Sequence, residues 1–543
     1  MKVEKYSKWL ILAACIVVLA GGGFYYFEIQ NSFIPNGEDL WRIQSWYTIL
    51  HYGQGYVHEN VILDAITYFS VRIGGMSYFS LRVYFTICYM IIMLFSLFLS
   101  ISKKKNRNTL WYMIPLWAFF MVFVHTLKTG DPLSVGKVDD SGLMNQLPQN
   151  YHIASSIFAL LCMILLQFFL QSDKKRNKIM IGVLNLIVFV YGATHTDLVF
   201  YTIFVIPGIL VTGLHAMRHE KARKYVLPLL LSGAAVLLVT SLLPEDMKAL
   251  WWSKDSVSMY GEIYGATNWF DVDDLADNLV RYIHMVLELF NIEITNRPVV
   301  SLYSVLFAVR VLFVIMGYLI ISKIVSYSIR GKAEEFGYTV IDEILAWAYV
   351  ILSGAFLFTG LAMKEDGITR YFSALIPILT ILLCRHVGDM VQRIIPLCSQ
   401  MRYKRFYFAG IVVALCVCMA EPLWTYDAED QYEADCHAAI EYIKEWDDGK
   451  GEMYVIAPIW LAARLSAVAE GEILFANNEQ YLRTIYGVDA TAKYVIIDWE
   501  ERWFKIGVDD LVGHSYEEMC ENYKVPVREV KLDSFYVFEF AEE

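Results

Sequence analysis

Long apolar runs constrain the fold of this 543-residue chain more than any other feature. A helix needs about 20 apolar residues to cross the roughly 30 Å hydrocarbon layer of a bilayer. Runs of about this length, or slightly shorter, recur near residues 9-27, 79-101, 110-127, 152-171, 179-193, 197-215, 225-243, 301-322, 343-363, 371-384 and 406-422. We therefore predict a polytopic α-helical membrane protein with about eleven transmembrane helices.

Composition excludes several other classes of protein. With 57% hydrophobic residues, 19% charged residues and a mean hydropathy of +0.42, the chain is too apolar for an ordinary soluble enzyme. Its net charge of −12 gives no reason to expect a nucleic-acid partner. Most of the nine cysteines lie in apolar runs, where a thiol packs as a small hydrophobic group. Cys436 and Cys520 lie outside these runs, and the sequence leaves open whether they pair.

The distribution of basic residues predicts the orientation in the cell membrane. Lys and Arg cluster in every second connection, within residues 103-107, 174-178, 218-224, 323-332 and 385-405. Because cytoplasmic loops carry an excess of Lys and Arg, these clusters predict a cytoplasmic N-terminus. The intervening loops then face outward, and they hold most of the unusual acids and histidines. The first run follows Lys2, Lys5 and Lys8 and resembles a signal sequence, which we expect to remain as an uncleaved anchor.

The stretch 179-215 could form one span or two, since only residues 192-197 interrupt it. Two short passes keep the flanking basic clusters on one side of the membrane, so we favour two. A run of roughly 14 residues rises only about 21 Å as a helix. The tip that carries His195 and Asp197 should therefore lie below the outer surface, in a protein-lined cavity. Arg370 opens an equally short run and should lie at a similar depth.

The composition changes near residue 425. We predict a transmembrane domain at 1-424 and a soluble extracytoplasmic α/β domain at 425-543. In the second domain, amphipathic spacing predicts a helix, apolar runs predict two buried strands, and alternation predicts a closing hairpin around Asp533-Ser534. These elements are, in order, Glu429–Trp446, Met453–Ala457, Lys493–Asp498, Val527–Leu532 and Phe535–Phe540.

Two adjacent carboxylates, Glu38 and Asp39, follow a Pro-Asn-Gly turn in the first outer loop, 28-78. The residues after them, Leu40–Leu50, place aromatic and aliphatic side chains at helical spacing. Val61–Arg72 does the same, so each stretch predicts an amphipathic helix on the membrane surface. A solvated loop or the stabilisation of a helix start by negative charge is the simpler explanation of the acidic pair.

The order of these parts resembles the GT-C superfamily of membrane glycosyltransferases, such as the protein mannosyltransferases and the bacterial aminoarabinose transferases. One span, an acidic pair, two surface helices and the sequence GGMSYFSLR ending at Arg82 precede the second span. The sequence ITRYFSALIP, residues 368-377, opens a late span as in similar families, and the tail His437–Trp460 resembles their soluble domain. The chain has Glu38-Asp39 where many relatives have Asp-Glu or a lone Asp, and His58-Glu-Asn instead of His-Pro-Pro.

The resemblance implies transfer of a sugar from a polyprenyl-phosphate donor at the extracytoplasmic membrane face. The acceptor would be a glycan, lipid or protein of the cell envelope. Such a reaction needs a carboxylate that takes the acceptor's proton and cations that stabilise the departing phosphate. Asp39 is the candidate base. Glu38 is its partner, or a ligand with Asp39 for a divalent cation such as Mg or Mn.

Arg370 and Lys364 are the candidate binders of the donor phosphate, together with Tyr371, because a guanidinium matches phosphate geometry in bidentate fashion. A surface ion-pair cluster with the intervening acids is the alternative. Four further side chains are candidates for the same outward cavity: His152, His195, Asp197 and His58.

Three other functions remain as alternatives. A transporter or flippase of lipid-linked saccharides would show internal repeats and polar groups near the midplane, whereas here polar groups gather at the outer ends and no repeat is visible. A polymerase or ligase of lipid-linked saccharides would favour a large outer loop rich in Arg and His. A non-catalytic assembly protein would tolerate neutralisation of Glu38, Asp39 and Arg370 together.

Overall fold

The protein is described by a computed structural model, which divides it into two compact units. Unit 1 comprises Met1–Ile29 and Cys88–Thr425, and unit 2 comprises Gln30–Ile87 and Tyr426–Glu543. The structure describes residues 16, 19-24, 26-27, 37-53, 61-101, 114, 116-117, 152-196, 198-218, 275-290, 292, 302-358, 372-394, 431-447, 453-476, 483, 486, 493-498, 504-505, 511-513 and 525-541. The sequence-based division at residue 424 stays a prediction. The compact units add that the first outer loop groups with the C-terminal segment, Tyr426–Glu543.

Helices make up most of the described residues before the C-terminal segment. They are α1 (Gly37–Tyr52), α2 (Val61–Gly74), α3 (Tyr78–Ile101), α4 (His152–Gln171), α5 (Lys175–His195), α6 (Leu198–Phe200), α7 (Ile206–Arg218), α8 (Leu275–Leu289), α9 (Leu302–Arg330), α10 (Val340–Phe358) and α11 (Leu375–Ile394). One π-helical turn, Tyr201–Val205, joins α6 to α7.

Five helices among the described residues are long and apolar enough to cross a membrane, and they make the chain a multi-pass membrane protein. They are Tyr78–Ile101, Ile153–Gln171, Lys175–His195, Phe307–Arg330 and Val340–Phe358. Two shorter apolar helices, Tyr201–Met217 and Leu375–Val387, coincide with two further predicted runs. The predicted runs 9-27, 110-127, 225-243 and 406-422 lie wholly or largely outside the described residues. The total of about eleven helices therefore stays a prediction.

The predicted interruption between residues 179 and 215 is present as two separate helices. Helix α5 ends at His195, and Thr196 is extended, with φ −130° and ψ −177°. The chain packs tightly at this break, because a Cβ on Gly192 would lie 2.9 Å from the ring of Phe200. Helices approach this closely where one of them presents a glycine. Helix α5 has 21 residues, so the prediction of a pass of roughly 14 residues before the interruption was too short. Asp197 lies outside the described residues.

Helix α11 continues ten residues beyond the apolar run that predicted it, from Cys384 to Ile394. The charge that ends the apolar run, Arg385, is only 1% exposed. Its Nε donates to Asp342 Oδ1 over 2.7 Å, and its Nη1 donates to the carbonyl of Leu99 over 2.7 Å. The helix can continue because these partners replace the water that a buried guanidinium loses.

Asp342 also organises the start of α10. The carboxylate accepts from the amide of Thr339 over 2.7 Å, and the amide of Asp342 donates back to Thr339 Oγ1 over 3.2 Å. This reciprocal pair is a capping box, which satisfies amide groups that a helix start leaves without partners. On the next residue, Glu343 Oε1 lies 2.7 Å from His215 Nε2. The end of the helices that the basic pattern assigns to the cytoplasm thus has a buried, hydrogen-bonded polar network.

Helix α8 lies inside the predicted outer loop 244-300, where the sequence analysis proposed no helix. Its Tyr282 hydroxyl lies 2.6 Å from the hydroxyl of Tyr318 on α9 and donates to Ser353 Oγ on α10 over 2.8 Å. Arg310 on α9 is 3% exposed, and its burial keeps a charge that would be costly in lipid inside the protein. Polar side chains therefore connect three helices of unit 1.

A mixed sheet forms the centre of the C-terminal segment. Its elements are α12 (Gln431–Trp446), β1 (Tyr454–Ile456), α13 (Ile459–Val468), β2 (Leu474–Ala476), β3 (Tyr494–Asp498), β4 (Phe504–Lys505), β5 (Leu511–Gly513), β6 (Arg528–Lys531) and β7 (Phe535–Glu539). The five-stranded sheet has the order β2-β1-β3-β7-β6. Strand β1 pairs parallel with β2 and β3, and β7 pairs antiparallel with β3 and β6.

The core of this sheet confirms the predicted helix, the two buried strands and the closing hairpin. Side chains of α12, α13 and the central strands pack together, among them Cys436, Ile443, Val455, Leu465, Phe475, Ile496, Phe535 and Val537. In the hairpin, Val530 pairs with Val537 and Lys531 with Tyr536. Cys436 is a fully buried thiol in this core, and Cys520 lies outside the described residues.

Candidate functional site

Helix α1 begins at Gly37, so that Glu38 and Asp39 occupy its first turn. A first turn exposes amide groups without intrahelical partners, and negative charge there is favourable by about 0.3–1 kcal/mol. The predicted surface helix after the acidic pair is therefore confirmed as a helix. The predicted catalytic roles of the two carboxylates lie outside what the described residues test.

Arg42 lies one helical turn after the acidic pair, at positions three and four residues from Asp39 and Glu38. This spacing places the three positions on one face of α1. The Arg42 guanidinium donates from Nη1 to the hydroxyl of Tyr84 on α3, and its central carbon lies 5.0 Å from the centre of that ring. One cation on this face of the helix is thus held by an aromatic side chain.

Trp46 lies one turn beyond Arg42 and contacts α2. Its indole Nε1 donates to Asp64 Oδ1 over 3.2 Å, and its ring meets Tyr68 edge to face at 5.8 Å. Burial raises the pKa of the Asp64 carboxyl above its ordinary value, while the Trp46 hydrogen bond and the Arg42 charge act in the opposite direction. A partly desolvated carboxylate therefore lies beside the helix that carries the acidic pair.

Gln44 and Thr48 lie on another side of α1, where they are 3% and 0% exposed. This side of α1 packs against α13 of the C-terminal segment, and both helices belong to unit 2. Helix α1 is consequently held on two sides, by α2 with the first part of α3 and by the C-terminal segment.

Two of the predicted cavity histidines lie at helix ends in unit 1. His152 is the first residue of α4, and His195 is the last residue of α5. The His195 ring stacks on Tyr191 at 4.1 Å, and its Nδ1 lies 2.7 Å from Thr194 Oγ1. The remaining predicted site residues lie outside the described residues: His58, Asp197, Lys364, Arg370 and Tyr371. The expectation that the phosphate-binding residues lie near Asp39 therefore stays a prediction.

No group of three or more His, Cys, Asp or Glu side chains that could hold a metal ion occurs within the described ranges. The adjacent carboxylates Glu38 and Asp39 would be oxygen ligands of the kind that Mg²⁺ and Mn²⁺ prefer. Glu38 and Asp39 have one carboxylate each, so together they offer an ion two carboxylate groups. Such an ion would complete its coordination with water or substrate oxygens.

The sequence analysis did not select Arg42, Gln44 or Asp64 as site residues. Two of these residues could have been recognised from the sequence. Arg42 follows Glu38 at helical spacing, and Asp64 is the only acid in the second surface helix. Gln44 could not, because its partners lie 422 to 442 residues further along the chain.

Comparison with known proteins finds similarity only among solved structures, since no family model and no curated protein matches the chain. The chain is similar to the oligosaccharyltransferase of Archaeoglobus fulgidus, solved as a complex with Zn and sulfate, at 13% identity and a TM-score of 0.45. The similarity covers 90% of this chain and 68% of that one. It is also similar to ArnT from Cupriavidus metallidurans bound to undecaprenyl phosphate, at 10% identity and a TM-score of 0.48, over 97% of each chain.

At these identities, and with both TM-scores below 0.5, the two similarities assign no residue role and no substrate to this chain.

Proposed function

We propose that the protein is a glycosyltransferase that transfers a sugar from a polyprenyl-phosphate donor to a cell-envelope acceptor. The reaction takes place at the extracytoplasmic membrane face, where the positive-inside rule puts the first outer loop. The observation that carries the proposal is the position of Glu38 and Asp39 in the first turn of α1, a helix that is buried on two sides. General acid-base chemistry requires such fixed placement of the carboxylate.

Asp39 acts as the general base in this proposal. It accepts the proton of the acceptor hydroxyl as the hydroxyl oxygen forms a bond to the anomeric carbon of the donor sugar. The bond between that carbon and the phosphate oxygen breaks, and polyprenyl phosphate leaves with the bonding electrons. Arg370 and Lys364, with Tyr371 beside them, bind the phosphate and stabilise its charge.

Glu38 assists Asp39 in one of two ways. It acts as a partner that orients Asp39, or it shares a divalent cation with Asp39. When bound, Mg²⁺ or Mn²⁺ would neutralise charge on the leaving phosphate. The oxygen ligand set of the two carboxylates fits either ion.

The test supplies the purified full-length protein, in detergent or nanodiscs, with a panel of polyprenyl-phosphate sugars and envelope acceptors. Asp39→Asn should lower kcat by about 100-fold or more, because loss of a general base removes that much rate. Arg370→Met should raise KM for the donor and also lower kcat, because it removes both phosphate binding and stabilisation of the leaving phosphate. Addition of a chelator, followed by Mg²⁺ or Mn²⁺, tests the proposed cation.

Asp277→Asn is the matched control, since Asp277 is an exposed acid in the first turn of α8. Both substitutions remove one negative charge from a helix start, so the effect on helix stability should be comparable. Activity that persists in Asp39→Asn would reduce the acidic pair to a helix-stabilising role. Transport of lipid-linked saccharide without transfer by the unmodified protein would favour a flippase instead.

A further inference from the structure

We propose that the C-terminal segment positions the acidic helix of the active site, and that Gln44 is the positioning residue through which it does so. The inference rests on the proposed function, because it assigns a task to Gln44 in the same reaction. It gives the C-terminal segment a role in the turnover of the enzyme that is distinct from binding either substrate.

Gln44 forms the polar centre of the contact. Its side chain is 3% exposed, and its Nε2 lies 3.0 Å from Ser466 Oγ, 2.9 Å from the carbonyl oxygen of Phe475 and 3.2 Å from Tyr486 Oη. The Tyr486 hydroxyl also donates to the Phe475 carbonyl over 3.0 Å. One buried amide nitrogen of α1, which carries two N–H groups, thus lies within hydrogen-bond distance of three oxygens of the C-terminal segment.

Two aromatic residues of α1 that follow Gln44, Tyr47 and Tyr52, contact the same part of the C-terminal segment. Gly471 has φ +81°, and a Cβ added there would lie 2.5 Å from the hydroxyl oxygen of Tyr47. Tyr52 meets the ring of Tyr486 edge to face at 5.3 Å. The glycine is therefore needed both for its backbone conformation and for the close approach of Tyr47.

The hydrogen bonds of Gln44 favour one orientation of α1. An apolar face can slide or rotate by small amounts at little cost, whereas a buried amide that loses its acceptors carries the full penalty of an unsatisfied polar group. Ser466 and the Phe475 carbonyl come from different elements, α13 and β2. They hold Gln44 from two directions and so restrict rotation of α1 about its axis.

Because Glu38 and Asp39 belong to α1, a displacement of α1 also displaces these two residues. Asp39 precedes Gln44 by five residues, which corresponds to about 7.5 Å along the helix axis. A helix of this length moves as a rigid rod over one and a half turns. A displacement of about 1 Å at a reacting group can cost about 100-fold in rate, so release of Gln44 should lower turnover without removing any group that touches substrate.

The experiment compares Gln44→Leu, Tyr486→Phe and Ser45→Ala in the full-length protein. Leucine preserves the approximate volume of Gln44 and removes its polar atoms. Phenylalanine removes only the Tyr486 hydroxyl. Tyr486→Phe therefore still tests the contact if Gln44→Leu fails to fold. Ser45 is the matched control, because it is the neighbouring buried residue of α1 and its hydroxyl has no hydrogen-bond partner among the described residues.

Hydrogen–deuterium exchange is measured for amides 41-47, which close the first turns of α1. Gln44→Leu and Tyr486→Phe should speed their exchange by about tenfold, since loss of a buried hydrogen bond shifts local opening by that factor. Exchange in β3 and β7 should stay unchanged. The double variant should exchange no faster than Gln44→Leu, because both substitutions remove parts of one contact.

Transfer kinetics supply the second measurement. Both variants should lower kcat while KM for the donor stays within about twofold, since the helix is displaced and the donor site is not. Unchanged exchange in amides 41-47, or a kcat equal to that of Ser45→Ala, would overturn the inference. Absence of transfer by the unmodified protein would overturn the proposed function itself, and exchange would still decide whether the C-terminal segment fixes α1.

Discussion

Replacement of Arg385 by methionine should destabilise unit 1 far more than removal of Arg330, an exposed basic residue of the same predicted side. Arg385 and Asp342 are 1% and 0% exposed. Arg385→Met would leave the Asp342 carboxylate buried without its guanidinium. Breaking a buried pair in this way typically costs about 3–5 kcal/mol, because the remaining charge loses its partner without regaining water.

A second substitution, Asp342→Asn, should recover part of the free energy of unfolding that Arg385→Met loses. Thr339 still donates its amide to Asp342 Oδ2, and an asparagine at position 342 can accept the same bond. Asp342→Asn removes the orphaned charge, so the double variant should cost at least about 1 kcal/mol less than the sum of the two single variants. His386 Nε2 also lies 3.2 Å from Asp342 Oδ1.

The assay is reversible unfolding of the full-length protein in mixed micelles, followed over a titration with denaturing detergent. Arg330→Met is the control, because Arg330 is exposed and is a basic residue of the same predicted side. Its substitution should change the free energy of unfolding by no more than about 0.5 kcal/mol. A loss below about 1 kcal/mol for Arg385→Met, or strict additivity in the double variant, would refute the reasoning.

Two further predictions concern unit 2. Because the folded pKa of Asp64 is raised, its carboxyl contributes most to stability at pH below its ordinary pKa, and this contribution is lost as pH rises through the folded value. Asp64→Asn keeps an acceptor for Trp46 and should flatten the corresponding part of the Tm–pH profile; an unchanged profile would contradict the assignment. Gly471→Ala should lower Tm more than Gly53→Ala, because both glycines have positive φ but only Gly471 faces a close neighbour, the Tyr47 hydroxyl. Equal losses of Tm in the two alanine variants would show that backbone strain, and not the approach of Tyr47, decides the effect.

Local patterns in the sequence predicted the elements of the C-terminal segment because those elements carry their own signals. The closing hairpin alternates apolar and polar residues around Asp533-Ser534, and it forms as Arg528–Lys531 and Phe535–Glu539. Strand β2 and helix α13 were not predicted. Both lie between β1 and β3, in short apolar stretches on either side of Glu470-Gly-Glu472, where periodicity does not separate a short buried strand from a buried helix.

Tertiary contacts explain the remaining differences. The apolar run that ends at Cys384 stops at a charge, and nothing near it in the sequence indicates that Asp342 replaces water for Arg385. Likewise, the acidic pair at the start of α1 could be predicted from its turn and from the periodicity after it. Gln44 and Ser466 are separated in the sequence by residues 88-425 of unit 1, so no local pattern indicates that the two side chains are in contact.

The composition of unit 2 has a consequence for the order of folding. Its two stretches, Gln30–Ile87 and Tyr426–Glu543, are separated in the chain by the residues 88-425 of unit 1. Contacts between such distant stretches form late, because the intervening loop must close first. During synthesis α1 emerges before the oxygens that receive Gln44, which lie 422 to 442 residues later in the chain. A chain that stops before Ser466 would therefore lack the contact that fixes α1.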